Sequence, residues 1–376
     1  MSRRIVLGIA VAIGLVSAYR QAQAQRRWDH VILSEMPLNG REQPSIRSDG
    51  EGIVFSGVSQ KLLRFSTSSN NASPGLVPLD SHLLDRGSVG SMALGNDGSL
   101  WTRSPDRAVV FLSIWERSRY VLVDSFDMSD RFFAIADLAE WGRDGAILRA
   151  LEHLSEGDDM ARQQLVVLKR GVRPKVLLDL TPYVPRSETR IRVSFSTSGS
   201  RGERLIDQPL RSGAAVAIGA FDVFAIGDPI LQRIQIGSIV SGRILRSIGD
   251  GGPGDLLSVV DSIRATKALQ ATAKSIGTLV DSLPWGVPSR WQAIDAIWIG
   301  SGKIYARRAG SQTEHQVIDV FLVDGRHVQT LLVPPAEQFR FWGYSAGESV
   351  VGALKGQDRS FRVVRLTSHV LDRPGR

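Results

Sequence analysis

Asn96-Asp97-Gly98-Ser99-Leu100-Trp101 follows an apolar run, Val89 to Leu94, and opens a second strand-like run. An Asp-Gly pair supplies the positive φ angles that a tight hairpin between right-twisted strands requires, so the stretch reads as strand, turn, strand. Comparable turns recur at Ser48-Asp49-Gly50, Arg143-Asp144-Gly145, Gly219-Ala220-Phe221-Asp222, Gly300-Ser301-Gly302 and Ser345-Ala346-Gly347. Asp49 to Asp97 is 48 residues, Asp97 to Asp144 is 47 and Ser301 to Ala346 is 45. That spacing is near the period of a four-stranded propeller blade.

The residues between the turns fit the same unit. After Asn96-Asp97-Gly98 come Ser99 to Thr102, Ala108 to Ile114, a Glu116-Arg117-Ser118 turn and Tyr120 to Asp124, which makes a four-stranded meander. Five units of this kind can be laid out, and a sixth has only three strands before the chain ends. Val31 to Ser34 belongs to no unit of its own, and adding it to the last sheet would satisfy an exposed edge and close the ring. The predicted fold is all-β: a six-bladed β-propeller with an N-terminal strand closing the last blade and one helical insertion.

Two connections are longer than the repeat. Thr181 to Ser212 is rich in Pro, Ser, Gly and Arg, with Ile191 to Phe195 as an extra strand. The second holds a predicted helix, about 255–283, with Asp255 as its cap, Pro284 as its stop, and Leu256, Val260, Ile263, Leu269, Ala273, Ile276, Val280 and Leu283 at helical spacing. Its apolar stripe is expected to pack across one end of the propeller as a cover or pocket wall.

The first 24 residues read as a signal peptide: Ser2-Arg3-Arg4 is basic, Ile5 to Ala18 is almost wholly apolar, and Ala22-Gln23-Ala24 offers a small-x-small cleavage site. The expected product is residues 25–376, a single propeller domain that is periplasmic or secreted and does not span a membrane. Loss of the leader removes Arg3, Arg4 and Arg20 and no acid, so the net charge falls from +8 to +5. The remaining arginines are spread along the chain rather than clustered with aromatics, which argues against nucleic acid as a partner. The absence of cysteine excludes disulfides, thiolate metal sites and a cysteine nucleophile.

The strand, Asp-Gly turn and aromatic-bearing strand of Gly98-Ser99-Leu100-Trp101, with the later Asp324-Gly325-Arg326 turn, resemble bacterial six-bladed propellers that are broadly NHL-like. Arg243 to Asp255 resembles their blade end followed by a glycine-proline-glycine-acid connection, and Leu283-Pro284-Trp285 is similar too. The resemblance covers most of the mature chain, implies a fold, and transfers no catalytic residue.

Chemistry is less well marked. Gly249-Asp250-Gly251-Gly252-Pro253-Gly254 fits GxGxxG but lacks the parallel βαβ context of a dinucleotide site, so it reads as a connecting loop. His30, His82, His153, His315, His327 and His369 show no zinc spacing. Innermost strands border a propeller's channel, and Asp137, Glu140 and Asp295 are expected there as channel carboxylates or partners of arginines. Converging oxygens of this kind could hold calcium in a lactonase or esterase. Trp101 and Trp115 read as core rings, whereas Trp298 has the best placement to reach a pocket. The sequence reading is therefore a binding or interaction module without a required cofactor, taking an unidentified protein or small-molecule ligand at one mouth of the channel through Asp137, Glu140, Asp295 and Trp298. A calcium-dependent hydrolase using Asp137, Glu140 and Asp295 is the alternative.

Overall fold

A computed structural model describes residues 27–369 except 41, 43, 48–49, 68–74, 78–90, 105–106, 143, 153–161, 185–189, 198–199, 208–213, 220–221, 250, 276–287, 312–313 and 347–348. The leader 1–24 and Leu283-Pro284-Trp285 lie outside the described residues, as do parts of four of the six turns.

Strand β1 (Arg27–Leu38) stands first in the chain and last in its sheet. Blade 1 is β2 (Ser45–Ile46), β3 (Glu51–Ser56), β4 (Lys61–Ser66) and β5 (Gly75–Val77), and blade 2 is β6 (Met92–Leu94), β7 (Leu100–Arg103), β8 (Val109–Glu116) and β9 (Arg119–Asp127). Blade 3 is β10 (Phe132–Trp141), β11 (Gly145–Glu152), β12 (Gln163–Lys169) and β13 (Val172–Asp179). A two-stranded hairpin of β14 (Arg190–Thr197) and β15 (Ser200–Asp207) follows, where one extra strand was expected. Blade 4 is β16 (Ala215–Gly219), β17 (Val223–Gly227), β18 (Ile234–Ser238) and β19 (Arg243–Ile248), after which comes helix α1 (Val259–Ser275). Blade 5 is β20 (Ile294–Gly300), β21 (Lys303–Arg308), β22 (Gln316–Leu322) and β23 (His327–Val333). Blade 6 is β24 (Phe339–Ala346), β25 (Ser349–Lys355), β26 (Phe361–His369) and, in fourth place, β1. The N-terminal strand therefore closes the last blade, over a longer span than Val31 to Ser34.

All six turns join the first strand of a blade to its second. In the second blade Gly98 has φ +80° and its amide donates to the Gly95 carbonyl at 2.9 Å, while the Ser99 amide donates to Asp97 Oδ1 at 2.9 Å. The Tyr120 hydroxyl donates to the Gly98 carbonyl at 3.3 Å, tying this turn to the outer strand. In the third blade the left-handed residue among those described is Gly142, not Gly145, which already pairs with Trp141 and Lys169 inside the sheet. A Cβ added at Gly98 would meet nothing within 4 Å, so Gly98→Ala should cost only the left-handed backbone penalty, about 1–2 kcal/mol. A shift of the urea midpoint with an unchanged m-value checks it, and no shift would mean that the turn relaxes to negative φ.

Alternation along the strands gives each sheet two apolar faces, and each face packs on the next blade. Among the described residues six core clusters join the blades in sequence. They include Leu62 with Leu100 (blades 1 and 2), Trp101 with Leu148 (2 and 3), Leu165 with Phe224 (3 and 4), Ile236 with Ile304 (4 and 5), Tyr305 with Phe339 (5 and 6), and Val363 with Leu63 (6 and 1). The sixth cluster closes the ring, and it is this closure that defines a six-bladed propeller.

Strand direction fixes the two ends. Innermost strands run toward the six turns and second strands run back, so second-to-third connections and blade-to-blade crossovers gather at the opposite end. Helix α1 lies in the crossover from β19 to β20 and so belongs to that opposite end, called here the insertion end. Its start differs from expectation. Ser258 is the cap: the Asp261 amide donates to Ser258 Oγ at 3.1 Å, and the Ser258 hydroxyl donates back to Asp261 Oδ2 at 2.6 Å. Asp255 instead gives its carbonyl to the Trp291 amide at 2.8 Å. The helix is described through Ser275, and the expected continuation to 283 lies outside the described residues.

The GxGxxG stretch serves as the connecting loop. Leu231 bridges to Pro253, and the Gln232 amide donates to the Gly252 carbonyl at 2.6 Å. A Cβ on Gly254 would sit 2.2 Å from the Trp291 carbonyl oxygen, so glycine is needed there for close backbone approach rather than for a pyrophosphate.

Candidate functional site at the insertion end of the channel

Three blades carry an arginine at the same place, near the insertion end of the second strand, with its Nε donated to a residue twelve positions earlier on or beside the innermost strand. Arg149 donates to Asp137 Oδ2 at 2.6 Å, Arg307 to Asp295 Oδ1 at 2.7 Å, and Arg103 to Ser91 Oγ at 2.8 Å. In two of them a glutamine completes the arrangement from the first position of β12 or β22. Arg149 Nη1 donates to Gln163 Oε1 at 2.9 Å, and Arg307 Nη1 donates to Gln316 Oε1 at 3.2 Å. The registers agree: Arg149 faces Leu165 and Arg307 faces Ile318, each two positions beyond its glutamine. Arg307 binds Asp295 with two nitrogens, since Nη2 also donates to Oδ2 at 3.1 Å. Such a fork fixes the orientation of both planar groups.

The third arginine differs in one respect. Its acceptor is a neutral hydroxyl, with a second bond from Nη1 to the Ser104 carbonyl at 3.4 Å. Burial pushes the Arg103 guanidinium below the usual arginine range, and the Asp137 charge pulls it back up. These three guanidiniums thus have two carboxylate partners between them. A guanidinium has five N–H donors. Among the described residues Arg103 and Arg149 each use two of theirs, leaving donors for a ligand.

The structure does not gather Asp137, Glu140 and Asp295 around one point. Asp137 and Glu140 are three positions apart on β10, and an odd separation places them on opposite faces of the strand. The neighbours agree, since Leu138 packs into the core shared with blade 2 while Ala139 and Trp141 pack toward blade 4. Asp295 belongs to blade 5, on the far side of blade 4. Both aspartates are already claimed by arginines. Among the described residues no group of three or more His, Asp or Glu is arranged to hold a metal ion. The donor set therefore does not fit calcium in this arrangement.

Trp298 is half-buried and serves as packing. Its ring meets Phe341 edge-on at 4.9 Å, its Cβ lies where a side chain on Gly343 would fall, and the Arg307 guanidinium carbon sits 5.7 Å from its centroid. Through that contact it supports the blade 5 arginine. Trp101 is fully buried, as expected, but Trp115 is 42% exposed and packs only its edge against Tyr120 at 5.0 Å, so it is not a core ring. The arginines and glutamines were not singled out in the sequence. The signal was present as Asp, eleven residues, Arg, repeated at 137–149 and 295–307.

No family model matches the chain, and no curated protein matches it in sequence. Among solved structures it is similar to the calcium-binding protein regucalcin from Agrobacterium tumefaciens, at 10% identity, covering 90% of this chain and 93% of that one, with a TM-score of 0.42. Virginiamycin B lyase from Staphylococcus aureus is 11% identical over 91% of this chain and 99% of its own, with a TM-score of 0.45. A luciferin-regenerating enzyme is 10% identical over 91% and 95%, with a TM-score of 0.44. Likeness at this level carries no chemistry across, and the architecture rests on the sheet order and the closed ring of cores.

Proposed function

We propose that this propeller is a binding module that admits an anionic small-molecule ligand to its channel at the insertion end. The observation that supports it most is the register-equivalent set Arg103, Arg149 and Arg307, of which two are matched by carboxylates and one by a serine. A guanidinium desolvated beside a neutral partner gains from an incoming carboxylate or phosphate, and charge-assisted bonds are the stronger kind. Asp137 and Asp295 then orient Arg149 and Arg307 rather than ligating a metal. Export of the mature chain from Gln25 belongs to the same reading and is supported by the leader-like order of residues 1–24. Among the described residues no helix is long and apolar enough to cross a membrane.

Thermal unfolding with citrate, inorganic phosphate or calcium chloride tests it. A ligand at about a hundred times its Kd adds about 2.7 kcal/mol of stability. Citrate or phosphate is expected to raise Tm, and Arg103→Gln to weaken that probe about tenfold or more, since a bond to a charged group is worth roughly 1.5–3 kcal/mol. Asp137→Asn should strengthen it by removing the competing charge. A rise with calcium alone, lost in Asp137→Asn and Asp295→Asn, would overturn the reading in favour of the metal-dependent hydrolase.

A further inference from the structure

Of the stripe expected for helix α1, Leu269 is buried, whereas Leu256, Val260 and Ile263 are exposed. Asp261, Ala265 and Leu269, spaced four apart, are 4%, 1% and 2% exposed, so this side faces the protein. Val259, Val260 and Ile263 point the other way and are 76%, 65% and 52% exposed, and Leu256 just before the helix is 67% exposed. Ile230 joins them at 61%, because the Leu231–Pro253 bridge brings its loop beside the start of the insertion. Four large exposed apolar side chains thus fall within the eight residues 256–263, with Ile230 on the loop bridged to Pro253, whereas most other exposed ones are scattered singly around the blades. Contiguous exposed apolar surface of this sort marks a contact site.

The charges around it identify the partner. Arg264, Lys267 and Lys274 are exposed on the same helix, and Arg290 sits across the Leu256–Arg290 bridge. Among the described residues of the insertion the exposed carboxylate is Asp255, while the buried Asp261 is engaged by Ser258 and Arg264, so Lys267, Lys274 and Arg290 remain in excess. An apolar tip backed by basic residues suits an anionic lipid surface, where the apolar groups enter the headgroup boundary and the cations meet phosphates. It suits a second copy of this chain poorly, since two such tips would bring like charges together.

We propose that the insertion docks the propeller on anionic membranes, with Leu256, Val259, Val260 and Ile263 entering the interface and Lys267 and Lys274 holding the headgroups. This site is separate from the channel, so either proposal can fail alone. The test is co-sedimentation of the full chain with phosphatidylcholine vesicles, with and without phosphatidylglycerol. Binding is expected only with phosphatidylglycerol and should fall with added salt. Lys267→Gln and Lys274→Gln should each weaken it about fivefold, the equivalent of ~1 kcal/mol per basic side chain near the surface. The double variant Val260→Asp, Ile263→Asp should abolish it while leaving the thermal transition in place, because both side chains are exposed. No pelleting with either vesicle would overturn the proposal, and so would pelleting that ignores the double variant. A dimer in sedimentation velocity that the double variant breaks, without vesicle binding, would assign the patch to a second copy and equally overturn it.

Discussion

Deleting residues 27–38 should abolish the cooperatively folded monomer. β1 pairs with β26 from Arg27 opposite His369 to Leu38 opposite Phe361, so its loss leaves β26 as a long open edge. The strand also joins three blades. The Trp28 indole donates to the Leu332 carbonyl of blade 5 at 2.7 Å and packs against the core between blades 5 and 6. Leu33 and Leu38 fill the core between blades 6 and 1 beside Val54, Leu63 and Val363. Burying a large apolar side chain is worth roughly 1.5–3 kcal/mol, so the three side chains alone represent about 5 kcal/mol or more, before the ladder bonds are counted. That is comparable with the entire stability of an ordinary domain, about 5–15 kcal/mol. Far-ultraviolet melting and size exclusion read the result: a broad or absent transition and association through the open edge are expected. Adding a peptide of residues 27–38 should restore the transition by occupying the vacant strand position. A truncated chain that remains monomeric and melts within a few degrees of the parent would show that the ring closes without β1.

The scaffold was readable because its punctuation has a local cause. Positive φ at a tight turn favours Gly, Asn or Asp, and Gly50, Gly98, Asp222 and Gly302 adopt it where blades turn, although Arg117, Ser118 and Ser301 adopt it too. Where the cause is not local, reading faltered. Arg143-Asp144-Gly145 looks like the turn, yet the left-handed residue among those described is Gly142, one position past the strand end, because pairing extends Gly145 into β11. The helix start was placed at Asp255 since Asp caps well in isolation. Ser258 wins because Asp261 stands three residues later and answers it, while Asp255 is held by the strand-like contact with Trp291. Hydrophobicity places Leu269 correctly on the protein-facing side of α1, but its neighbours there are Asp261 and Ala265 rather than Val260 and Ile263.

At the candidate site the sequence supplied one half of each pair. Asp137 and Asp295 were placed on innermost strands, but their directions depend on irregular pairing between Ile135 and Asp137 and between Ile294 and Ala296. A bulge reverses the alternation on which any prediction of direction relies. Their arginines lie twelve residues downstream, across a hairpin, and only the fold makes that spacing a contact.

Trp101→Ala is expected to lose about 3–5 kcal/mol, the range for truncating a buried large aromatic. Trp101 is fully buried between blades 2 and 3, its ring stacks on Phe126 at 5.8 Å, and the surrounding cluster includes Val110, Leu112, Ile135 and Leu148. Val110, Leu112 and Leu148 belong to strands held by ladders on both sides, so the space cannot collapse cheaply. A second variant separates volume from polarity. Indole Nε1 is buried with no hydrogen-bond partner among the described residues, so Trp101→Phe removes an unsatisfied donor along with one ring. Its loss should be about 1–2 kcal/mol, since part of the missing packing is offset by the donor that no longer needs water. Urea unfolding followed by circular dichroism measures both. The prediction fails if Trp101→Ala costs no more than Trp101→Phe, because equal losses would mean that the ring holds its hairpin through polarity or strain rather than by filling the space between two blades. Unequal losses would tie the Asn96-Asp97-Gly98 turn to its purpose: a turn orients the strand, and the aromatic five residues after Asn96 locks one blade to the next.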